Sequence, residues 1–330
     1  MRNVAFLIVM LGCVLTAFAQ EGRTDMTDVT YEQLYDEPYN VQKFFIGFQP
    51  FYGEVFATNV NAGFGADAHY FMKNKVNFRA HFRKTYSSSF FDMNRQSARQ
   101  NSSVDNRPTP FGYFEAGMTW HFKDFEEEGK TKLVLYKKSY KGNKWAARVP
   151  LHASIPCKVR KIYGGRIGGI VWNSTLDVTR ALIVDGKTNA DLANLPDDAN
   201  LFSNIHSGGL YAGSSITWIR NVAVGFDQFE SNVDDSMVTL YADVLYSPYL
   251  KVDDIQYLDQ AYNTGVLKIK SFGFRLGLDG KFNRKVGWGY GGEFGYRPTV
   301  AGLGFFATFK VAIPLYGTNF AYQVTATPKE

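Results

Sequence analysis

The sequence lacks the long apolar run that a membrane-spanning helix needs. After the N-terminal segment of this 330-residue chain, no apolar stretch reaches the roughly 18 residues of such a helix. This absence excludes an ordinary helical membrane protein. It leaves membrane-spanning strands open, because a barrel strand needs only about 9–11 residues and half of them can be polar.

Cysteine is also scarce, with Cys13 and Cys157 as the two in the chain. Cys13 lies in a segment that has the parts of a secretory signal peptide: a positive start, the apolar residues 4–15 and the small-x-small cleavage site 17–19. We predict that residues 1–19 are removed; the alternative is a lipoprotein acylated at Cys13. Removal leaves one cysteine, which excludes an internal disulfide in the mature chain.

The chain has no basic stripe and no cofactor motif. Its net charge of +5 is small and spread along the sequence, so nucleic acid is not an expected partner. Aspartate pairs occur, but none completes a calcium-binding loop, and no glycine-rich phosphate loop or Cys/His metal set is present. We therefore predict no cofactor and no bound metal.

The chain is instead rich in Phe (28), Tyr (20) and Gly (31). In the segments 266–280, 286–297 and 301–316, large apolar side chains alternate with glycine and charged residues. Because successive strand side chains point to opposite faces, each segment has one continuous apolar face. The other face carries glycine and sparse charge, and the apolar face carries Trp and Tyr. This combination is typical of strands that turn their apolar face to lipid.

The pattern resembles the outer-membrane β-barrel proteins of Gram-negative bacteria over nearly all of the mature chain. The resemblance implies an all-β fold, an antiparallel transmembrane β-barrel in the bacterial outer membrane that follows a cleavable signal peptide. Residues 20–43 would form a periplasmic N-terminal arm and residues 44–330 the barrel domain. Outer-membrane lipid and lipopolysaccharide would then be its surroundings and partners.

The alternation predicts about twelve strands, an even number that places both termini in the periplasm. The segment 208–228 is predicted as one strand because its apolar residues keep the same parity throughout. Fourteen strands are the alternative, if the chain turns at 218–222 and residues 176–184 also pair. The predicted turn at 157–159 places Cys157 in the periplasm. The predicted strands are 44–52, 57–72, 76–86, 111–123, 132–140, 146–156, 160–172, 208–228, 237–246, 266–280, 286–297 and 301–316.

The two faces of these strands give the candidate site residues. The apolar faces predict lipid-facing side chains at Trp120, Phe274, Leu276, Trp288, Phe294, Phe309 and Ile313. The polar faces predict lumen-lining side chains at Asp67, His69, Arg79, His81, Arg83, Glu115, His121, Arg148, His152, Arg275, Asp279, Glu293, Arg297 and Lys310. Six of these are Arg or Lys and four are Asp or Glu, which is compatible with a salt-bridged wall or with a slightly anion-favouring pore.

The expected function is that of a non-enzymatic barrel, either a small transport channel or a component of an envelope machine. The start at Gln20 and a last strand without a terminal Phe resemble barrels of bacteria that use type IX secretion. That resemblance implies a further alternative, an accessory or plug subunit of a type IX secretion translocon.

A lipid-modifying hydrolase is the remaining alternative. His152 and Ser154 lie two apart on one strand face, as a base and a nucleophile can. This pair resembles the His-x-Ser of outer-membrane lipid A deacylases, but no Glu follows at a matching distance. A chance occurrence explains the pair better, so no catalytic residue is predicted.

Overall fold

The computed structural model describes residues 29–72, 75–87, 91–137, 151–192, 195–283 and 287–317. The fold is all-β and antiparallel, as the alternation predicts. The strands are β1 (Tyr31–Asp36), β2 (Phe44–Phe56), β3 (Asn61–Met72), β4 (Val76–Thr85), β5 (Gly112–Leu135), β6 (Leu151–Asp177), β7 (Phe202–Ile219), β8 (Val222–Phe226), β9 (Asn232–Asp234), β10 (Ser236–Val252), β11 (Ile255–Tyr257), β12 (Gln260–Tyr262), β13 (Ile269–Lys270), β14 (Phe272–Phe282), β15 (Gly289–Tyr296), β16 (Thr299–Val300) and β17 (Phe305–Gly317).

Within the described part of the chain, three short helices accompany the strands. They are α1 (Met93–Asn101), α2 (Val178–Val184) and a 3-10 helix, Asn189–Leu192. Within the described ranges, no helix has the length and apolar character that a membrane span requires.

Ten strands form a closed barrel in the order β2, β3, β4, β5, β6, β7, β10, β14, β15 and β17, and β17 pairs back onto β2. The predicted counts of twelve and fourteen are therefore wrong. The difference arises at β5 and β6, which stay paired from Gly112 opposite Asn173 to Leu135 opposite Leu151. The described residues of four predicted strands lie in or next to these two long ones; the four are 111–123, 132–140, 146–156 and 160–172, of which residues 138–140 and 146–150 lie outside the described ranges.

The predicted turn at 157–159 is accordingly absent. Cys157 pairs with Gly129 in the middle of a continuous ladder, and its side chain is buried. A period-two pattern cannot show where a strand leaves the barrel, because the alternation continues through a strand that projects into water.

The segment 208–228 is likewise not a single strand. β7 ends at Ile219, and after Arg220 and Asn221 the chain enters β8, which pairs with β1 and β9 in a separate three-stranded sheet. The parity of the apolar residues is preserved across this break, but their surroundings change. Leu210 is exposed on the outside of the barrel, whereas Val222, Val224 and Phe226 are buried in a core shared with β5 and β6. The sequence does not distinguish these two environments.

One end of the barrel carries the short turns, and here β5 and β6 project as a two-stranded ribbon (residues 122–135 and 151–159). The sheet of β1, β8 and β9 packs against it. Their shared core contains Leu133, Ile155, Cys157, Val224 and Phe226. We call this end the turn end. β1 lies inside the predicted arm 20–43, of which residues 20–28 lie outside the described ranges.

The opposite end, the loop end, carries the long connections. They contain α1, α2, the 3-10 helix, the β11–β12 hairpin and the β13–β16 pair. Their apolar side chains form one core with the barrel wall at the loop end. This core includes Phe56, Trp172, Leu182, Leu201 and Phe306. This core lies across the mouth of the barrel.

Candidate functional site: the charged barrel interior

Most of the predicted lumen side chains point into the barrel. Arg148 lies outside the described residues. His152 lies on the projecting ribbon opposite Val134, so it does not line the interior. Those that share the interior are Asp67, His69, Arg79, His81, Arg83, Glu115, His121, Arg275, Asp279, Glu293, Arg297 and Lys310.

Arg275 is at the centre of this interior and is almost fully buried. Its Nη1 and Nη2 atoms each donate to one oxygen of Glu115 at 2.7 Å, which is the bidentate geometry that suits guanidinium and carboxylate. Its Nε donates to Asp243 at 2.8 Å. The other Asp243 oxygen accepts from Arg166 at 3.0 Å. Two cations and two carboxylates therefore neutralise each other in the middle of the barrel.

A second group of ion pairs lies nearer the loop end and is organised around Glu54. Arg297 donates to both of its oxygens, at 3.1 and 2.9 Å, and Thr308 donates at 2.9 Å. Arg83 lies 3.4 Å from Glu54 and donates to Glu293 at 2.6 Å. The second oxygen of Glu293 is 3.4 Å from Arg275 Nη1, so the two groups form one network.

Tyrosine rings pack against the guanidinium groups of this network. Arg83 lies 4.1 Å from the ring centroid of Tyr113, and Arg166 lies 4.1 Å from that of Tyr241. Such contacts are favourable because the ring face carries negative potential. The close packing of these rings against the wall requires glycine at the contact. A Cβ on Gly277, for example, would lie 2.2 Å from the Tyr241 ring. The glycines of the polar faces therefore make room for the interior side chains.

A third group lies nearer the turn end. Asp279 accepts from Arg79 at 2.5 Å and from Lys310 at 2.6 Å. Asp67 lies 3.3 Å from His69 Nε2. A cavity of about 80 Å³ opens beside these residues, and Lys281 also lines it. Below it, an apolar cluster lies at the turn end, made by Phe45, Phe71, Ile162, Ile219 and Met237.

The arrangement is suited to holding the barrel shut and rigid. Its buried carboxylates are engaged by arginine or lysine, except Asp67, which is engaged by His69 and Gln49. Among the described ranges, no group of three His, Cys, Asp or Glu side chains is placed to hold a metal ion. The interior is filled by side chains in its central and loop-end parts, and apolar clusters lie at both ends.

Three central members of the network were missed by the sequence reasoning. Arg166 and Asp243 lie on the polar parity of the predicted strands 160–172 and 237–246, so the alternation contained a signal for them. Glu54 fell between the predicted strands 44–52 and 57–72, whereas β2 continues to Phe56. No local pattern indicates its partners, because Arg297 is 243 residues away in the sequence.

The residues predicted to face lipid lie on the outside of the barrel. The exposed fraction is 61% for Trp120 and 64% for Trp288. Ile313 is half-buried and pairs with the exposed Phe48. The others are exposed outward-facing side chains: Phe274, Leu276, Phe294 and Phe309.

No protein-family model matches this chain, and a search of curated proteins finds no match either. What is established is the architecture: a closed, antiparallel, ten-stranded β-barrel with a charged and largely filled interior.

Proposed function

We propose that the chain is an integral outer-membrane β-barrel that serves, without enzymatic activity, as a membrane-anchored component of an envelope assembly. The observation that carries this proposal is the combination of an apolar exterior with a filled, salt-bridged interior. The first is what a barrel needs to lie in lipid. The second favours a structural component over an open channel.

The apolar exterior supports the membrane location. Outward positions carry Trp, Phe, Leu, Val and Met around the whole wall; examples are Met118, Val171, Leu240, Phe274 and Phe309. A contiguous apolar surface of this extent marks a membrane or a protein interface. β10 and β14 stay paired over eleven register positions, from Ser236–Phe282 to Tyr246–Phe272, which matches the length of a membrane-crossing strand.

The interior supports the choice of a component over a channel. An open pore needs a water-filled path from one end to the other, and wide lumens belong to barrels of about sixteen strands or more. Here ten strands enclose a network of buried ion pairs, with apolar clusters toward both ends. The anion-favouring channel remains the competing proposal.

The turn end offers the surface for an assembly partner. The ribbon carries charged pairs: Glu126 with Lys158 and Glu127 with Lys161 are partly exposed, and Asp124 pairs with the buried Arg160. Charged pairs of this density are compatible with water and incompatible with lipid. The ribbon and its packed sheet thus suit a small periplasmic domain beneath the barrel. A type IX secretion translocon is the most specific partner that we propose for it.

His152 and Ser154 of the hydrolase alternative lie on this ribbon, opposite Val134 and Lys132. They are remote from the carboxylates of the interior network, which lie within the barrel. This placement favours the non-enzymatic proposal.

The proposal is tested by purification in mild detergent after fractionation of the envelope. We expect the chain in the outer-membrane fraction, with envelope proteins bound to it in stoichiometric amounts. A double charge reversal on the ribbon, Glu126→Lys with Glu128→Lys, should release them, whereas Lys270→Glu at the loop end should not. Purified barrels in planar bilayers should be silent. Regular conductance steps, with no co-purifying protein, would support the channel instead.

A further inference from the structure

The cavity near the turn end contains an unusual concentration of polar atoms without partners. Within the described residues, four buried atoms that make no hydrogen bond belong to side chains lining this one cavity: His69 Nδ1, Asn77 Oδ1, Arg79 Nε and Lys281 Nζ. A buried polar atom that makes no hydrogen bond costs free energy, so such groups are rare in native structures. Two of these four atoms, Arg79 Nε and Lys281 Nζ, are hydrogen-bond donors of cationic side chains.

Among these four side chains, Lys281 is the one whose position links the others. Its ammonium group lies 4.2 Å from the ring centroid of Phe45 and 5.3 Å from that of Phe71, so it reaches across the barrel from β14 toward β2 and β3. On the next strands, register pairing places His69 opposite Phe45 and Asn77 opposite Phe71. The ammonium therefore approaches the same part of the wall that carries the other unpartnered atoms.

The charges around the cavity do not balance. Its lining includes four cations, Arg79, Arg166, Lys281 and Lys310, and two carboxylates, Asp67 and Asp279. Arg166 is balanced by Asp243, and Asp279 is shared by Arg79 and Lys310. One positive charge remains in excess, and Lys281 is the cation that forms no ion pair among the described residues. A buried charge is costly unless it is paired and hydrogen-bonded.

We infer that this cavity binds one small inorganic oxyanion of the size of phosphate or sulfate. Arg79 Nε and Lys281 Nζ are donors that match its oxygens, and the excess charge matches its sign. The volume of about 80 Å³ is enough for several waters, since one water needs on the order of 10–15 Å³. The apolar cluster of Phe45, Phe71, Ile162, Ile219 and Met237 lies at the turn end, which favours a free anion over a lipid headgroup still attached to its lipid. The anion stabilises the barrel as a buried counter-ion, independently of what the barrel assembles with.

The test uses the full mature chain in detergent and inorganic phosphate as the probe. Thermal unfolding is followed by circular dichroism at rising phosphate concentration. Gluconate, whose anion is too large for the cavity, keeps the ionic strength constant. We expect the midpoint temperature to rise by several degrees, because a ligand that binds only the folded state stabilises it. Titration calorimetry should give one phosphate per barrel.

Variants at the cavity make the test specific. Lys281→Met should abolish both the temperature shift and the calorimetric signal, and Lys281→Arg should retain them. Asn77→Asp places a carboxylate in the lining of the same cavity and should abolish binding while leaving the barrel folded, which keeps the test decisive if Lys281→Met does not fold. Lys270→Met, at an exposed lysine of the loop end, is the matched control and should respond as the wild type does. An unchanged wild-type midpoint at all phosphate concentrations, or an equal rise in Asn77→Asp, would overturn the inference.

Discussion

At the scale of single residues, the interior network is a set of buried charges that depend on one another. Arg275 contacts Glu115, Asp243 and Glu293, and each of these carboxylates also lies within 4 Å of a second arginine. Removal of one partner from a buried ion pair leaves an uncompensated charge, which costs more than the pair itself contributes. The stability of the barrel should therefore be sensitive to single substitutions at Arg275 and its carboxylate partners.

We expect Arg275→Met to lower the free energy of unfolding by about 3–5 kcal/mol, because Glu115 loses its bidentate partner in a dry interior. The measurement is guanidinium unfolding of refolded barrels in lipid vesicles. Lys158→Met is the matched control, since it breaks the exposed pair with Glu126 and should cost less than about 1 kcal/mol. Equal costs for the two variants would mean that water screens the interior network.

Cys157 gives a second test at this scale. Burial raises the pKa of its thiol to about 11, which keeps the unreactive thiol form dominant at neutral pH. We expect a maleimide reagent at pH 7 to leave Cys157 unlabelled in the folded protein, even after the outer membrane is opened, and to label it after denaturation. A Cys157→Ser variant identifies any background. Rapid labelling of the folded chain would show that the ribbon and the sheet of β1, β8 and β9 do not pack together.

At the scale of elements, each barrel strand separates two environments. β17 turns Thr308 toward Glu54 in the interior and Phe309 toward the outside, where 55% of the Phe309 side chain is exposed. Within the barrel, β5 and β6 also turn one face to the interior and one to the outside. Beyond the barrel they continue as the ribbon, which carries exposed charged side chains. The change from aromatic to charged outward side chains occurs after Phe122. This change marks where we expect the lipid to end.

We therefore expect Phe309→Arg to cost about 2–4 kcal/mol, which is the cost of an arginine on the lipid face near the bilayer midplane. Leu258→Arg is the control, because Leu258 is 74% exposed on the β11–β12 hairpin at the loop end, outside the expected lipid zone. That change should have little effect in the same vesicle unfolding measurement. A small cost at both positions would show that the outer wall does not lie in lipid.

At the scale of the whole molecule, the connections that contain α1, α2 and the β11–β12 hairpin lie at one end of the barrel. The short β3–β4 and β14–β15 connections lie at the other end, together with β1, the connection that contains β8 and β9, and the end of β17. Outer-membrane barrels of bacteria have short periplasmic turns and long external loops. If the proposed membrane location is correct, that rule predicts that the helical cap of the loop end lies outside the cell and the ribbon in the periplasm.

Single cysteines at the two ends test this orientation. In a Cys157→Ser background, Leu258→Cys should react with an impermeant maleimide on intact cells. Glu128→Cys, on the exposed side of the ribbon, should react only after the outer membrane is opened. The reverse result would invert the orientation, and labelling of both on intact cells would contradict a membrane-crossing barrel.

The sequence by itself determined the class of the fold and the two faces of its strands. Alternation at Phe274, Arg275 and Leu276 is a local property of an extended chain, because neighbouring side chains must point to opposite sides of a sheet. For that reason the outward and inward positions of β14, β15 and β17 could be assigned without knowledge of their partners.

Only the tertiary structure decided how many strands close the barrel and what fills it. Whether β5 stays in the wall beyond Trp120 depends on whether β4 is still beside it, and β4 begins at Val76, opposite Trp120. Likewise, Glu54 meets Arg297 only because β17 closes onto β2. These are contacts between strands distant in the sequence, and the local alternation of side chains contains no information about them.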